Sequence, residues 1–247
     1  MMQIKKIDNQ LMSTKIYHAL LDMMTRPEIL EKGKLPRESE IIELLGVSRT
    51  SLRDALALLE KDVIITRRRG FGTFINREVL ALKNRLDVKK EFNALIKDAG
   101  YDPSLKYVET VRVQADKEVS QALAIQPGEN LYKVTKLLAG DGTPMIYCSN
   151  YVPAALLPDR TFPEKEKGRP IYELLEKYCD IRIHHEISQI TPVLMTAELE
   201  KIFELPPSAG MTVQYFTEVA YDIDSRPVMY SEFYHRSDLI RQTIVRS

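Results

Sequence analysis

The sequence is poor in the residues that mark secreted, metal-binding or membrane-spanning proteins. Its 247 residues include no tryptophan and only two cysteines, Cys148 and Cys179, without a CxxC or Cys/His spacing, so neither a disulfide framework nor a structural zinc site is predicted. No apolar run approaches the roughly 20 residues that cross a bilayer, and the start of the chain lacks the apolar block of a signal peptide. We therefore expect a cytoplasmic protein without membrane segment, metal or cofactor.

The sequence also lacks net charge, with 35 basic and 35 acidic residues, but the two signs are unevenly distributed. Residues 1–77 contain 14 Lys and Arg against 10 Asp and Glu, whereas the remainder contains 21 against 25. A basic part joined to an acidic part is typical of proteins in which only one domain contacts phosphates. With 44% apolar residues, the chain is long enough for two such domains.

The first third of the chain predicts three helices followed by a β-hairpin. Apolar residues recur at spacings of three and four in residues 13–25 and 38–45, and again after Ser48, which is typical of helices with one buried side. Gly46 is suited to end the second helix and Ser48 to cap the third. Residues 63–75 combine β-branched residues with a basic, glycine-containing turn. The pattern is that of a helix-turn-helix with an adjacent hairpin.

Strand patterns outnumber helical ones in the rest of the chain, and short Gly, Asp or Pro turns join several of them. This favours an antiparallel sheet with helices on one face. We predict an α+β fold class, with residues 1–77 as a winged helix-turn-helix domain, 78–88 as a linker and 89–247 as an α+β domain. The helices are expected at 91–99, 117–124, 171–178 and 197–204, and the strands near 107–113, 131–138, 145–152, 181–191, 211–220 and 228–234.

Two segments of the second domain resemble each other. Asp141-Gly-Thr-Pro-Met-Ile-Tyr147 parallels Asp224-Ser-Arg-Pro-Val-Met-Tyr230. One interpretation is a duplicated unit with a ligand pocket between its halves. The other is a pair of unrelated hairpins, because such turns favour Asp, Gly and Pro in any case.

The third predicted helix and the hairpin carry the residues suited to DNA. Leu52 and Leu56 form the apolar side of the helix, so Arg49, Thr50 and Arg53 lie opposite, towards its N-terminal end. A recognition helix enters the major groove with that end, where arginine pairs with guanine or phosphate. Glycines at the hairpin tip allow close backbone approach, and the arginines beside them neutralise phosphate. On its own, a run of arginines such as Arg67–Arg69 would more often be a solvated loop, but beside a helix-turn-helix this is the less favoured interpretation.

This segment resembles the winged helix of the GntR family of transcription regulators. The resemblance implies sequence-specific binding of an inverted-repeat DNA operator by a homodimer, usually in repression. It departs from the family where Ser39 replaces the usual Arg, for which Arg37 substitutes in part, and where Phe71 and Val63 replace a basic residue and a glycine. The matching residues are Leu35, Pro36, Glu38, Gly46, Val47, Ser48, Arg49, Arg53, Ala55, Leu56, Leu59, Gly70, Gly72, Thr73 and Phe74. The predicted DNA contacts are Arg37, Ser48, Arg49, Thr50, Arg53, Arg69, Gly70, Gly72 and Thr73.

Residues 88–240 resemble the UTRA effector domain of the HutC-type branch, through Pro127-Gly-Glu, Tyr151-Val-Pro and the Asp141 and Arg226 turns. The resemblance implies a chorismate lyase-like fold that binds a small-molecule effector. Members that recognise phosphorylated sugars carry an Arg-x-Arg pair where this chain has Lys136 and Leu138. They also carry carboxylates where it has the Ile146–Cys148 region and Met229. We therefore expect a less polar effector. The predicted effector residues are Lys136, Leu138, Tyr147, Met229 and His235.

Two alternatives belong to other functional classes. The similar lyase fold is catalytic, but the sequence lacks a convincing Ser/His/Asp order, GxSxG motif, phosphate loop or metal motif, so we expect no enzyme. A winged helix that binds protein instead of DNA would leave Arg49 and Arg53 without a role. The adjacent His184 and His185 could suggest a metal, but we expect them to be ordinary strand residues.

Overall fold

The computed structural model, which describes residues 9–157, 162, 166–207 and 210–246, divides the chain into two compact units. The first unit extends to Val88 and also includes the C-terminal residues from Thr243 onward, and the second unit is Lys89–Gln242. The proposed linker, residues 78–88, therefore lies within the first unit, and the end of the chain returns to it. Leu86 N–H donates to the Thr243 carbonyl at 2.8 Å, and Thr243 N–H donates to the Asn84 carbonyl at 3.0 Å. Pairing over such a distance in sequence leaves no local pattern.

The first unit has three helices around one apolar core, a hairpin and two short helices. Its core contains Leu20, Met24, Leu52, Leu56 and Leu59, all buried. The first short helix, which was not expected, begins at the favoured N-terminal Pro27 and ends at a left-handed Gly33. The elements are α1 (Asn9–Met24), α2 (Pro27–Lys32), α3 (Glu38–Leu45), α4 (Arg49–Lys61), β1 (Ile65–Arg68), β2 (Gly72–Ile75) and α5 (Arg77–Leu80).

The second unit is built on a six-stranded antiparallel sheet, which confirms the α+β prediction. Each of the four predicted helices and six predicted strands is present. The elements are α6 (Phe92–Asp98), β3 (Pro103–Gln114), α7 (Lys117–Leu123), β4 (Asn130–Gly140), β5 (Thr143–Pro153), a 3-10 turn (Ala154–Leu156), α8 (Ile171–Cys179), β6 (His185–Leu194), α9 (Ala197–Ile202), β7 (Thr212–Tyr221) and β8 (Pro227–His235).

The order of the strands favours duplication over two unrelated hairpins. The order is β3-β4-β5-β8-β7-β6, so each half contributes a strand, a helix and two further strands. The halves join in the middle, where β5 pairs with β8 from Ile146 opposite His235 to Tyr151 opposite Tyr230. A repeated unit related by a pseudo-twofold axis gives this mirrored order.

The expectation that the helices cover one face of the sheet is wrong. Residues of α8 pack with Val134, Val152 and Met229 on one face, whereas α7 packs with Leu131 and Tyr230 on the other. The central strands β4, β5 and β8 are accordingly buried at nearly every position. Their nearly continuous apolar runs are typical of strands covered on both faces.

Candidate DNA-binding surface and ligand cavity

Helix α4 presents its predicted contact residues to solvent. Arg49, Thr50 and Arg53 are exposed, whereas Leu52 and Ala55 on the opposite side are fully buried. The apolar side holds the helix in the core, so the exposed side has a fixed orientation for a rigid partner such as duplex DNA.

The turn before α4 determines where this helix begins. The Ser51 N–H donates to the Ser48 hydroxyl oxygen at 3.0 Å, and Gly46 ends α3 with a left-handed φ of 63°. Ser48 therefore acts as the N-cap, and its exposed hydroxyl also lies 2.8 Å from that of Ser51. An N-terminus capped in this way points its free amides and dipole at anions such as phosphate.

Two of the predicted arginines, Arg53 on α4 and Arg37 at the start of α3, lie near Glu38. The Arg53 Nε lies 3.3 Å from the Glu38 carboxylate, and both side chains are at least one-third exposed. Such a surface pair is worth at most about 1 kcal/mol, so a phosphate or base can replace Glu38 at little cost. Arg37 is exposed at the N-cap of α3, close in sequence to Glu38.

The arginines of the hairpin differ in their partners. Arg67 binds Glu60 through two of its nitrogens at 2.6 and 2.7 Å, and the Arg68 guanidinium lies 5.1 Å from the centre of the Phe74 ring. Arg69 is exposed, and no partner of its side chain is found within the described ranges. Arg69 is therefore the wing arginine best placed for an external phosphate.

The wing glycines have conformations that other residues rarely adopt. Gly70 and Gly72 have φ angles of +78° and +107°, and a Cβ at Gly72 would lie 2.4 Å from the Cε of Lys34. Thr73 is half-buried, and its carbonyl accepts a 2.9 Å bond from the Leu35 N–H. Gly70, Gly72 and Thr73 thus shape the wing, and only the two glycines offer exposed backbone.

Lys34 is a basic residue of this surface that the sequence interpretation missed. It forms a β-bridge with Phe74, its ammonium group lies 5.4 Å from the centre of the Phe74 ring, and its side chain is exposed beside Gly72. The segment reads as a turn because its partner strand lies forty residues further on. A lysine immediately before the Leu35-Pro36 pair was the one available signal.

The second unit contains a cavity of about 580 Å³, including its mouth, on the sheet face that α8 covers. Residues 90–93 and the start of α8 form its outer wall, and strands β4, β5, β7 and β8 form its floor. Phe92, Phe233 and Ile171 give the cavity an apolar surface, into which a few polar groups of the floor are set. This combination is typical of a small-molecule site.

Two of the five predicted effector residues, Lys136 and Leu138, line this cavity. Lys136 is 5% exposed, and its ammonium group donates to the Arg169 carbonyl. Burial lowers the pKa of Lys136, because the charged form loses hydration.

The other three predicted effector residues lie outside the cavity wall. Tyr147 belongs to the opposite face, where it stacks on Tyr234, because successive residues of a strand point to opposite faces. Met229 is fully buried in the core beneath α8. His235 is 1% exposed among aromatic rings, and desolvation lowers its pKa to about 3, so it is neutral at physiological pH.

A row of polar residues on the cavity floor was missed by the sequence interpretation. Asn150, Ser231 and Glu218 face one another across β5, β8 and β7, and all three line the cavity. The Ser231 hydroxyl donates to the Asn150 amide oxygen at 3.0 Å. Glu218 accepts bonds from the Tyr172 hydroxyl at 3.4 Å and from Ser188. For Asn150 and Ser231, the available signal was a polar residue at an inward position of an otherwise buried strand.

The structure shows neither a metal site nor a membrane span within the described residues. No group of three or more potential metal ligands comes together there. None of the helices in the same ranges is long and apolar enough to cross a bilayer.

Comparisons with known proteins assign both units. Residues 12–75 match the family model described as bacterial regulatory proteins, gntR family, and residues 98–241 match the UTRA domain. The chain is 28% identical over 215 residues to the HTH-type transcriptional regulator GgaR of Escherichia coli, covering 87% of this chain and 83% of that protein. It is 23% identical over 198 residues to the HTH-type transcriptional repressor NagR of Bacillus subtilis, covering 78% and 80%.

The fold has a similarly complete counterpart among solved structures. The crystal structure of the possible transcriptional regulator YydK from Bacillus subtilis superimposes with a TM-score of 0.73 at 16% identity, covering 98% of this chain and 100% of that one. Since the UTRA match alone spans more than half of the sequence, the chain belongs to the GntR-family transcription regulators with a UTRA domain, which bind DNA under the control of a small molecule.

Proposed function

We propose that this regulator represses genes by binding an inverted-repeat operator as a homodimer in the cytoplasm. The observation that carries the proposal is the exposed N-terminal side of α4, together with an exposed basic wing whose shape depends on glycines. Arg49, Thr50 and Arg53 enter the major groove, and Ser48 and the wing contact phosphates. The exposed residues Arg37 and Lys34 add to the basic surface. Two recognition helices related by a dyad meet half-sites roughly 34 Å apart.

We further propose that the cavity binds the effector and catalyses no reaction. Its lining residue Cys148 is fully buried, and burial raises the pKa of the thiol to about 12, so it is a poor nucleophile at neutral pH. Lys136 and the polar row supply directional bonds, and the aromatic wall supplies apolar area. Turnover of a substrate by a protein without DNA affinity would favour the enzyme alternative.

The segment between the cavity and α4 suggests how binding is coupled to DNA. The cavity wall at Lys90–Asn93 begins two residues after Val88, where the first unit ends. Within that unit Arg85, only 6% exposed, donates from Nη1 to the Asp62 carbonyl at the end of α4, at 2.6 Å. We propose that ligand binding at the wall changes how residues 85–88 are held, and that Arg85 carries this change to the C-terminal end of α4.

The bond between Arg85 and the Asp62 carbonyl, which we call the clamp, belongs to a larger network. The Tyr17 hydroxyl donates to the Asp62 carboxylate at 2.7 Å, and the Arg85 Nε lies 3.2 Å from Asp87. Several hydrogen bonds around one buried arginine hold this part of the chain in a fixed arrangement. A displacement of residues 85–88 therefore reaches the end of α4 more directly than it would through a flexible linker. The effector changes operator affinity only as far as it binds the DNA-bound and free states differently.

Selection of random duplex DNA by the purified protein tests the proposal. We expect enrichment of an inverted repeat, and a steep loss of affinity for the selected duplex as salt rises. A protein-binding winged helix would instead give no enriched sequence and weak, uniform DNA binding. Binding that Arg49→Ala leaves unchanged would also support that alternative.

A further inference from the structure

The cavity of the second unit holds opposite charges at two separate places. Lys136 lies on β4 and Glu218 on β7, and strands β5 and β8 run between them. Three steps of about 4.8 Å across the sheet and two residues of about 3.3 Å along β7 put the backbones of Lys136 and Glu218 roughly 16 Å apart. The ion pairs found within the described ranges include neither residue. Each charge therefore faces the cavity without an opposite charge in direct contact.

The two other lysines nearby are already paired. Lys90, which also lines the cavity, binds Asp98 at 2.5 Å, and Lys89 binds Glu186 at 3.0 Å. Glu91 lies at the mouth, where its charge acts on Lys136 without an ion pair between the two in the described part of the chain. Lys136 is thus the cavity cation left for an anionic group of the ligand, and a single cation poorly matches a phosphate dianion.

The surroundings of Lys136 and Glu218 disfavour their charged forms when no ligand is present. Burial lowers the pKa of Lys136, whereas burial and the neighbouring Glu186 raise the pKa of Glu218. A ligand that brings the complementary charge to each group removes this penalty. The Asn150–Ser231 pair and the aromatic wall lie between Lys136 and Glu218. They suit a ligand whose two charged groups are joined by a short chain with few polar groups.

We propose that the effector is a zwitterion, with an ammonium group bound to Glu218 and a carboxylate or similar monoanion bound to Lys136. This inference rests on the proposed function of the cavity as the effector site. It excludes a sugar phosphate and extends the contact set beyond Lys136 and Leu138 to Asn150, Ser231 and Glu218.

Calorimetric titration of the full chain with matched probes tests the inference. The zwitterions are γ-aminobutyrate and ε-aminocaproate, the anions butyrate and caproate, and the cations butylamine and hexylamine. A hexose phosphate is included as a competing class. We expect at least one zwitterion to bind roughly ten- to a hundredfold more tightly than its matched acid and amine, because each loses one charged hydrogen bond.

Two variants assign the charges to their residues. Glu218→Gln, which keeps the shape of the side chain, is expected to remove the preference for the zwitterion over the acid. Lys136→Met, which keeps much of its length, is expected to remove the preference over the amine. Lys97→Met and Glu109→Gln change exposed residues outside the cavity lining and serve as matched controls that retain both preferences.

The remaining outcomes contradict the inference in distinguishable ways. Tight binding of caproate or hexylamine alone, or of the hexose phosphate with no zwitterion bound, would overturn the ligand class and leave the cavity as the effector site. Absence of binding by every class would count against both the ligand class and the proposed function of the cavity.

Discussion

The two units carry their candidate functional polar groups in opposite environments. In the first unit Arg49, Arg53 and Arg69 are exposed on a rigid apolar core, whereas in the second unit Lys136 and Ser231 are 5% and 2% exposed. Exposed charges interact weakly one by one and are screened by salt, so they suit a long polyanion contacted at many points. Buried groups interact strongly, but only with a ligand of the right shape and charge.

We expect the largest effect from removing the buried charge of the first unit, Arg85. Arg85→Ala removes the clamp at the end of α4 and leaves Asp87 and the Asp62 carbonyl without this partner. Breaking a buried pair costs roughly 3 kcal/mol in the free energy of unfolding, measurable by urea denaturation. Lys83→Ala, an exposed change two residues away, is the control and is expected to be neutral. Equal stability of the two variants would mean that Arg85 does not stabilise the end of α4.

The pH dependence of stability, the next largest effect, shows whether His235 belongs to the core or to the ligand site. Its folded pKa of about 3 lies below the ordinary value of 6.5, so the unfolded chain binds the extra proton between these two pH values. Stability contributed by the neutral ring is therefore lost as pH falls below 6.5, by up to roughly 1.4 kcal/mol per pH unit. Urea denaturation at pH 6.5 and 4.5 is expected to show a smaller loss for His235→Leu than for the unchanged protein. Parallel pH profiles would place His235 in contact with water.

The third effect concerns the exposed surface itself. Arg49→Ala is expected to weaken operator binding by about 1 to 3 kcal/mol if the arginine reads a base, and to lower the salt slope if it contacts phosphate. Fluorescence anisotropy at several salt concentrations measures both. Lys61→Ala changes an exposed basic residue at the other end of the same helix and is expected to have little effect. An equal loss in both variants would mean that general charge, and not position on the helix, determines binding.

The smallest effect concerns the chain between α4 and the wing. Val63 has a left-handed φ of 58°, a strained conformation for a β-branched residue that glycine adopts freely. Val63→Gly is expected to raise the free energy of unfolding by about 1 kcal/mol, seen as a higher melting temperature. Val63→Ala keeps most of the backbone strain, so it is the matched control. A lower melting temperature for the glycine variant would mean that packing of the valine outweighs the strain.

The difference between the units also explains how far the sequence could predict each site. The predicted contact residues of the first unit lie, apart from Arg37 at the start of α3, within α4 with its N-cap and one hairpin, so local periodicity and turn residues were enough to propose them. Lys34 escaped because its place beside the wing depends on a bridge to Phe74. Val63 was noticed as a departure from the family, but its backbone strain is a property of the folded chain.

The cavity of the second unit is formed by residues that only the sheet order brings together. Ser231 and Asn150 are 81 positions apart, yet their side chains are hydrogen-bonded. The expectation that all helices cover one face of the sheet was wrong for a similar reason. The sequence of one strand does not show which elements cover its two faces. Lys136 and Leu138 could be identified through family positions, whereas Tyr147 points to the opposite face.

Operator affinity across a range of salt concentrations, measured without effector, tests the division of roles between the two units most directly. The proteins compared are the unchanged chain, the double variant Arg49→Ala with Arg53→Ala, and Lys136→Met. We predict that the double variant loses affinity, salt slope or both, and that Lys136→Met matches the unchanged protein in both quantities. Unchanged affinity and slope in the double variant would contradict the assignment of α4 as the recognition helix.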